Sequence, residues 1–173
     1  NGVIVSKFKM MPFIVTLGMM GITRGIAKWL AGNQAVNFPE SPINRIMFLD
    51  EPEKFFPLPN GVWITIALAI LMVIVMRQTV FGRYVFAIGS NEMAARLSGV
   101  RVSRHKIFIY SLAGLFFGIA GLMQLSRLTQ GDPTVAIGLE LDVIAAVVIG
   151  GASLSGGMGS ILGSMIGALI MAT

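Results

Sequence analysis

Apolar residues gather in four stretches along this chain, separated by polar segments. Residues 62–76 read VWITIALAILMVIVM without a charge, opened by Pro59, Asn60 and Gly61, with Trp63 near one end and Arg77 closing the other. Aromatic and basic flanks of this kind anchor a membrane-spanning helix at its two interfaces. Residues 107–125 (IFIYSLAGLFFGIAGLMQL) also lack charge, and Gly114, Gly118 and Gly121 are spaced for close approach of a neighbouring helix. The first stretch, residues 11–31, begins with Pro12 and carries Arg24 and Lys28 in its second half. It is expected to form a short or broken helix.

The last third has a different texture. Two acids, Glu140 and Asp142, lead into a short apolar run at 141–149, followed by a cluster of Gly and Ser and a final apolar run from residue 161. A spanning helix needs about 20 residues, so the run at 141–149 cannot cross a bilayer alone. Discontinuous helices of this sort belong where backbone lines a protein cavity, because lipid cannot satisfy open peptide groups. Gly159, Gly163 and Gly167 recur at every fourth residue beside Ser160, Ser164 and Ala168, predicting one smooth face for helix packing.

Charge sets the orientation. Six of the 13 Lys and Arg residues (Arg77, Arg83, Arg96, Arg101, Arg104 and Lys106) crowd between two of the apolar stretches, and a connection so rich in Lys and Arg stays in the cytoplasm. The segment 32–60 then lies outside. Its Glu40, Asp50, Glu51 and Glu53 outnumber Arg45 and Lys54, and Pro39, Pro42, Pro52, Pro57 and Pro59 favour turns over a long helix. Phe55 and Phe56 are expected to rest on the membrane surface.

Composition agrees with a membrane protein: 55% of residues are hydrophobic and 12% charged, against about 25% charged in a soluble domain. A net charge of +5 would suggest nucleic acid in a soluble chain, but here the basic residues flank apolar segments and nucleic acid is not an expected partner. The absence of cysteine excludes disulfides, thiolate metal sites and a cysteine nucleophile. The run from Gly156 to Ser160 lacks the Lys of a phosphate loop, and Gly163 falls one residue late for a dinucleotide fingerprint. Any ATP used must therefore bind another subunit, and this chain is expected to hold no cofactor. His105 has no clustered ligands for a metal and reads as a solvated loop residue. The chain opens at Asn1 without an initiator Met and stops at Thr173 within an apolar run, as an internal piece of a larger protein would.

Three blocks carry a resemblance: PFIVTLGMMGITRG at 12–25, FGRYVFAIGSNEMAARLSGVRVSRHK at 81–106, and ELDVIAAVVIGGASLSGGMGSILGSMIGA at 140–168. In this order and spacing they resemble the permease subunit of bacterial ABC importers for simple sugars, the ribose-transporter type within the branched-chain amino-acid permease superfamily. The resemblance covers nearly the whole chain. It implies an all-α polytopic bundle with broken or short helices, of which residues 1–173 are a single permease domain lacking the family's first and last helices. It also implies a multi-pass protein of the bacterial inner membrane, working beside cytoplasmic ATP-binding cassette ATPase subunits, a second permease subunit and a periplasmic sugar-binding protein. No enzymatic activity is implied for the permease itself.

Within that family Gly89, Asn91, Glu92, Ala94, Ala95, Arg96, Leu97, Ser98 and Gly99 match the coupling region, a short cytoplasmic helix that docks into a groove on the ATPase. The residues themselves suit a short rigid helix. Asn91 is a good N-cap, Glu92 lies where a negative charge suits the helix dipole, and Gly99 can take the left-handed conformation that ends a helix. Small Ala94 and Ala95 permit close docking. Sequence physics alone leaves an amphipathic surface helix with Arg96 on lipid phosphates equally open; the resemblance selects coupling.

Glu140 and Asp142 admit two readings. Ionisable residues in a membrane segment mark a pathway or a partner, while acids at a helix start also simply favour the dipole, and Arg24 or Arg127 could pair with them. The expected mechanism is alternating access, with ATP-driven movement passed to a cavity through packed glycine faces. Other readings are a branched-chain amino-acid ABC permease, an ion-coupled secondary transporter using Glu140 and Asp142, and a scaffold without substrate.

Overall fold

The computed structural model describes residues 1–37 and 59–172. In chain order it holds α1 (Gly2–Phe8), α2 (Pro12–Leu30), β1 (Val36–Asn37), α3 (Asn60–Gln78), α4 (Val80–Ser90), α5 (Glu92–Leu97), α6 (Val102–Leu128), β2 (Gln130–Gly131), α7 (Leu139–Ile149) and α8 (Ile161–Met171). The turns expected through residues 38–58, with Phe55 and Phe56, lie outside the described residues. Contacts divide the chain into two compact units, residues 1–67 with 107–135, and residues 68–106 with 136–173.

Among the described residues three helices, α2, α3 and α6, are long and apolar enough to cross a membrane. The fold is all-α, and the chain is a membrane protein. At 27 residues, α6 is about 40 Å long, well beyond a hydrocarbon core of about 30 Å. It starts five residues earlier than its apolar core at 107 and takes in Arg104, His105 and Lys106. Such length lets charged turns reach an interface while the apolar middle stays in lipid.

In the first unit, α2 is one continuous 19-residue helix rather than a short or broken one. Pro12 sits in its first turn, where the missing N–H is not needed. Arg24 and Lys28 do not interrupt it: spaced by four, they share one face in its final turns, where long stems can carry their charges toward water. Thr16 and Thr23 turn their hydroxyls back to the carbonyls of Pro12, Phe13, Met19 and Met20, which satisfies them without a lipid-facing donor. Gly2 packs on α6, where a Cβ would stand 3.0 Å from Ile107 Cα. An antiparallel ladder pairs Val36 with Gly131 and Asn37 with Gln130, an element the apolar pattern does not announce.

In the second unit, the segment expected as a basic loop is mostly helical. Thr79 alone separates α3 from α4: its hydroxyl donates to Val75 O at 2.6 Å and accepts from Gly82 N at 3.3 Å. Gly82 lies so close to the Met76 backbone that any side chain would collide with it. The turn needs a glycine there.

Helices α7 and α8, of 11 residues each, form a close hairpin, and α7, about 16 Å long, cannot span alone. A Cβ on Gly163 would strike Gly150 O, and one on Gly167 would strike Ala146 O, so the backbones meet directly. Gly159 stands apart from this face. Ser160 is the N-cap of α8, accepting from Gly163 N at 2.9 Å, so Gly159 precedes the helix instead of extending its glycine row. On α6, a Cβ at Gly114, Gly118 or Gly121 would meet no atom within 4 Å, so no described helix closes on the packing face expected there.

Candidate coupling site

Residues 91–100 build a short helix with both ends closed. Asn91 takes an extended conformation (φ −153°, ψ 104°), and its Oδ1 accepts from Ala94 N at 3.0 Å. This satisfies one of the open amides of a first turn. At the other end Gly99 has φ 84°, Gly99 N donates to Arg96 O at 3.0 Å, and Val100 N donates to Ala95 O at 3.1 Å. That pair of bonds is a Schellman closure, and its usual apolar contact is present because Val100 packs on the cluster of Ile88, Ala95 and Val102. A six-residue helix is too short to persist alone in water. Caps and cluster together hold it.

Ion pairs add a tether to this packing. Lys106 Nζ donates to Glu92 Oε2 at 2.6 Å, and Arg96 Nη2 donates to Glu92 Oε1 at 3.3 Å. The hydrogen bond from Lys106 holds the Glu92 carboxyl below its ordinary value, against a smaller opposing effect of burial. Through Lys106, the first turn of α5 is tied to the first turns of α6, 14 residues on. His105 is also placed by packing. It belongs to α6, its Nδ1 lies 3.0 Å from Arg101 O, and its ring meets Tyr84 edge to face at 4.9 Å, so it is not the solvated loop residue expected.

The two faces of α5 differ sharply. Ala95 is 4% exposed and belongs to the inner cluster, whereas Met93 is 74% and Leu97 87% exposed. Close docking through Ala95 is therefore corrected: its methyl is spent on the chain's own packing. Met93 and Leu97, four residues apart, make an outward apolar ridge with exposed Ala94, Arg96 and Ser98 around it. Met93 lies inside the segment that resembles the coupling region, but the match does not say that it faces outward. Its helical spacing from Leu97, opposite Ala95, was the available signal.

Other candidates lie elsewhere in the same unit. Glu140 Oε2 accepts from Gly138 N at 3.1 Å, so this acid closes the start of α7, while Asp142 is exposed one position beyond Leu141. Both stand in the first turn of α7, where negative charge suits the dipole. A cavity of about 320 Å³ is lined by Val73, Met76, Arg77, Phe86, Ser160 and Ser164 among others, mostly apolar groups. Among the described residues no cluster of His, Asp and Glu could hold a metal.

Comparison with known proteins gives the geometry its context. The profile of the family described as branched-chain amino acid transport system / permease component matches residues 1–173. The chain is 42% identical over its whole length to the L-arabinose transport system permease protein AraH of Escherichia coli, covering 52% of that protein. It is 44% identical to the ribose import permease protein RbsC of Bacillus subtilis, with 100% of this chain and 53% of that protein aligned. With the ribose import permease protein RbsC of Haemophilus influenzae the identity is 38% over 99% of this chain and 53% of that protein. The chain thus spans about half the length of the curated relatives it matches. No solved structure matches it. The match over residues 1–173 and the three apolar helices of spanning length among the described residues agree, and the chain belongs to the branched-chain amino acid transport system / permease component family.

Proposed function

We propose that this chain is part of the transmembrane subunit of an ATP-driven importer that carries a simple sugar across the bacterial inner membrane by alternating access. The observation that carries the reading is α5, a fully capped helix held by ion pairs and presenting Met93 and Leu97 outward, within a chain 42% identical to a sugar permease. In this reading residues 77–106 lie in the cytoplasm, as their Arg and Lys content requires. The ridge of α5 enters a groove on an ABC ATPase, a second permease subunit completes the pathway, and a periplasmic binding protein delivers the sugar. ATP stays on the ATPase, and the permease performs no covalent chemistry.

Work done by the ATPase is transmitted only by parts that move together. The two caps and the Glu92–Lys106 bond make α5 such a part. The test is uptake of labelled ribose and L-arabinose by vesicles holding the full-length permease, its ATPase and its binding protein. ATP-dependent sugar uptake supports the reading; uptake that ignores ATP refutes it. The family's description favours one second reading, a branched-chain amino-acid importer. Labelled leucine in the same vesicles separates the two.

A further inference from the structure

The Gly-rich connection between α7 and α8 rests on the joint that precedes α5. A Cβ placed on Gly89 would lie 2.6 Å from Gly157 N, one on Gly156 would lie 2.8 Å from Gly89 O, and one on Gly157 would lie 2.7 Å from Ser90 Cα. Backbone therefore meets backbone here, with no side chain between. Gly156 (φ 90°) and Gly157 (φ 76°) adopt left-handed conformations that present their bare backbone to α4. Ser90 is the last residue of α4, and Asn91 alone separates it from α5.

The connection is stiff in itself. Ser153 N donates to Met158 O at 3.0 Å, Gly156 N donates to Ser153 O at 3.1 Å, and Ser155 N donates to Ser153 Oγ at 3.2 Å. Its two ends are the C-terminus of α7 and the capped start of α8, and those helices are already locked backbone to backbone through Gly150, Gly163, Gly167 and Ala146. A push at Gly157 is thus delivered to the hairpin as one body, because close-packed backbone has no soft rotamers in which to lose it. The far end of α7, about 16 Å away, carries Glu140 and Asp142.

We propose that Gly89 and the Gly156–Gly157 pair are positioning residues that form a backbone joint, through which displacement of α5 by an ATPase moves the α7–α8 hairpin. This rests on the coupling reading above and names the mechanical link within it. The joint predicts an asymmetry among glycines. Gly89 is helical, so alanine suits its backbone, yet the added methyl forces the loop away by ~1 Å from an ordinary contact distance. The joint should open while α4 and α5 remain folded.

Hydrogen exchange on the full-length permease, with and without its nucleotide-loaded ATPase, tests this alongside sugar uptake per ATP hydrolysed. In the unaltered protein, ATPase docking should protect residues 91–99 and change exchange at 150–160. In Gly89→Ala, protection at 91–99 should persist, the response at 150–160 should vanish, and uptake per ATP should fall by about tenfold. Ser155→Ala, on the exposed side of the same loop, should behave as the unaltered protein. A response at 150–160 and an uptake ratio both unchanged in Gly89→Ala overturn the joint. So does protection of 91–99 without any response at 150–160 in the unaltered protein, a result that does not depend on how the variant folds. Failure of the ATPase to protect 91–99 at all overturns the coupling reading, and the joint with it.

Discussion

Replacing Asn91 removes the one side-chain bond that starts α5. The acceptor Oδ1 lies 3.0 Å from Ala94 N, in the geometry of a full-strength cap. Asn91→Ala should weaken the helix by about 1 kcal/mol, Asn91→Gly by only a few tenths, and Asn91→Asp should keep the bond while adding charge that suits the dipole. About 1 kcal/mol corresponds to roughly a fivefold rise in the open fraction, since 1.4 kcal/mol is tenfold. The amides of Ala95 and Ser98, which donate to Asn91 O and Ala94 O, report that opening directly. Their exchange in the full-length permease should quicken about fivefold in the Ala variant, slightly in the Gly variant and not at all in the Asp variant. Sugar uptake per ATP should fall in the same order. Equal exchange in all three variants would show that α5 is held by its apolar cluster alone, and the capping argument would be wrong.

Other consequences follow from the same geometry. Met93→Glu and Leu97→Glu alter exposed positions, so folded stability should stay within about 0.5 kcal/mol while ATPase co-purification is lost; an intact complex would move the docking surface elsewhere. Gly167→Val drives a side chain into the Ala146 carbonyl and should lower the thermal midpoint in detergent, at a cost of about 1–3 kcal/mol or more. The Glu92 carboxyl titrates below its ordinary value of 4.5 when folded, so the unfolded state binds more protons as acid is added. The Glu92–Lys106 tether should therefore be fully present above about pH 4.5 and lost as pH falls through the depressed folded value. Protection of α5, corrected for intrinsic exchange, should follow that profile, and Lys106→Met should flatten it.

The pattern of apolar stretches located α2, α3 and α6 and the apolar runs of α7 and α8, because partition into hydrocarbon is a property of each segment by itself. It was misleading where charge was read as a breaker. Arg24 and Lys28 leave α2 intact, since long basic side chains can reach water without disturbing a helix backbone. It was also blind to α4, whose residues 80–90 mix Arg83 and Gly82 with apolar groups and look like a connection until Thr79 and Gly82 are seen turning the chain back on α3. The glycine row at 159, 163 and 167 was half legible. Spacing identified a close-packing face, but Ser160 as a cap excludes Gly159 from it, and the neighbour proved to be the preceding helix α7.

At the candidate coupling site the division has a physical cause. The ends of α5 could be read from Asn91, Glu92 and Gly99, because capping and left-handed closure depend on residues within one turn. Membrane residence and family could likewise be read from linear order. What no linear reading could supply is which side of α5 faces outward, that Lys106 reaches back to Glu92, and that Gly157 lies against the end of α4. Those are relations between segments far apart in the chain. They are settled by which surfaces exclude one another when the helices pack, and only there does Ala95 become buried and Leu97 become the face a partner can reach.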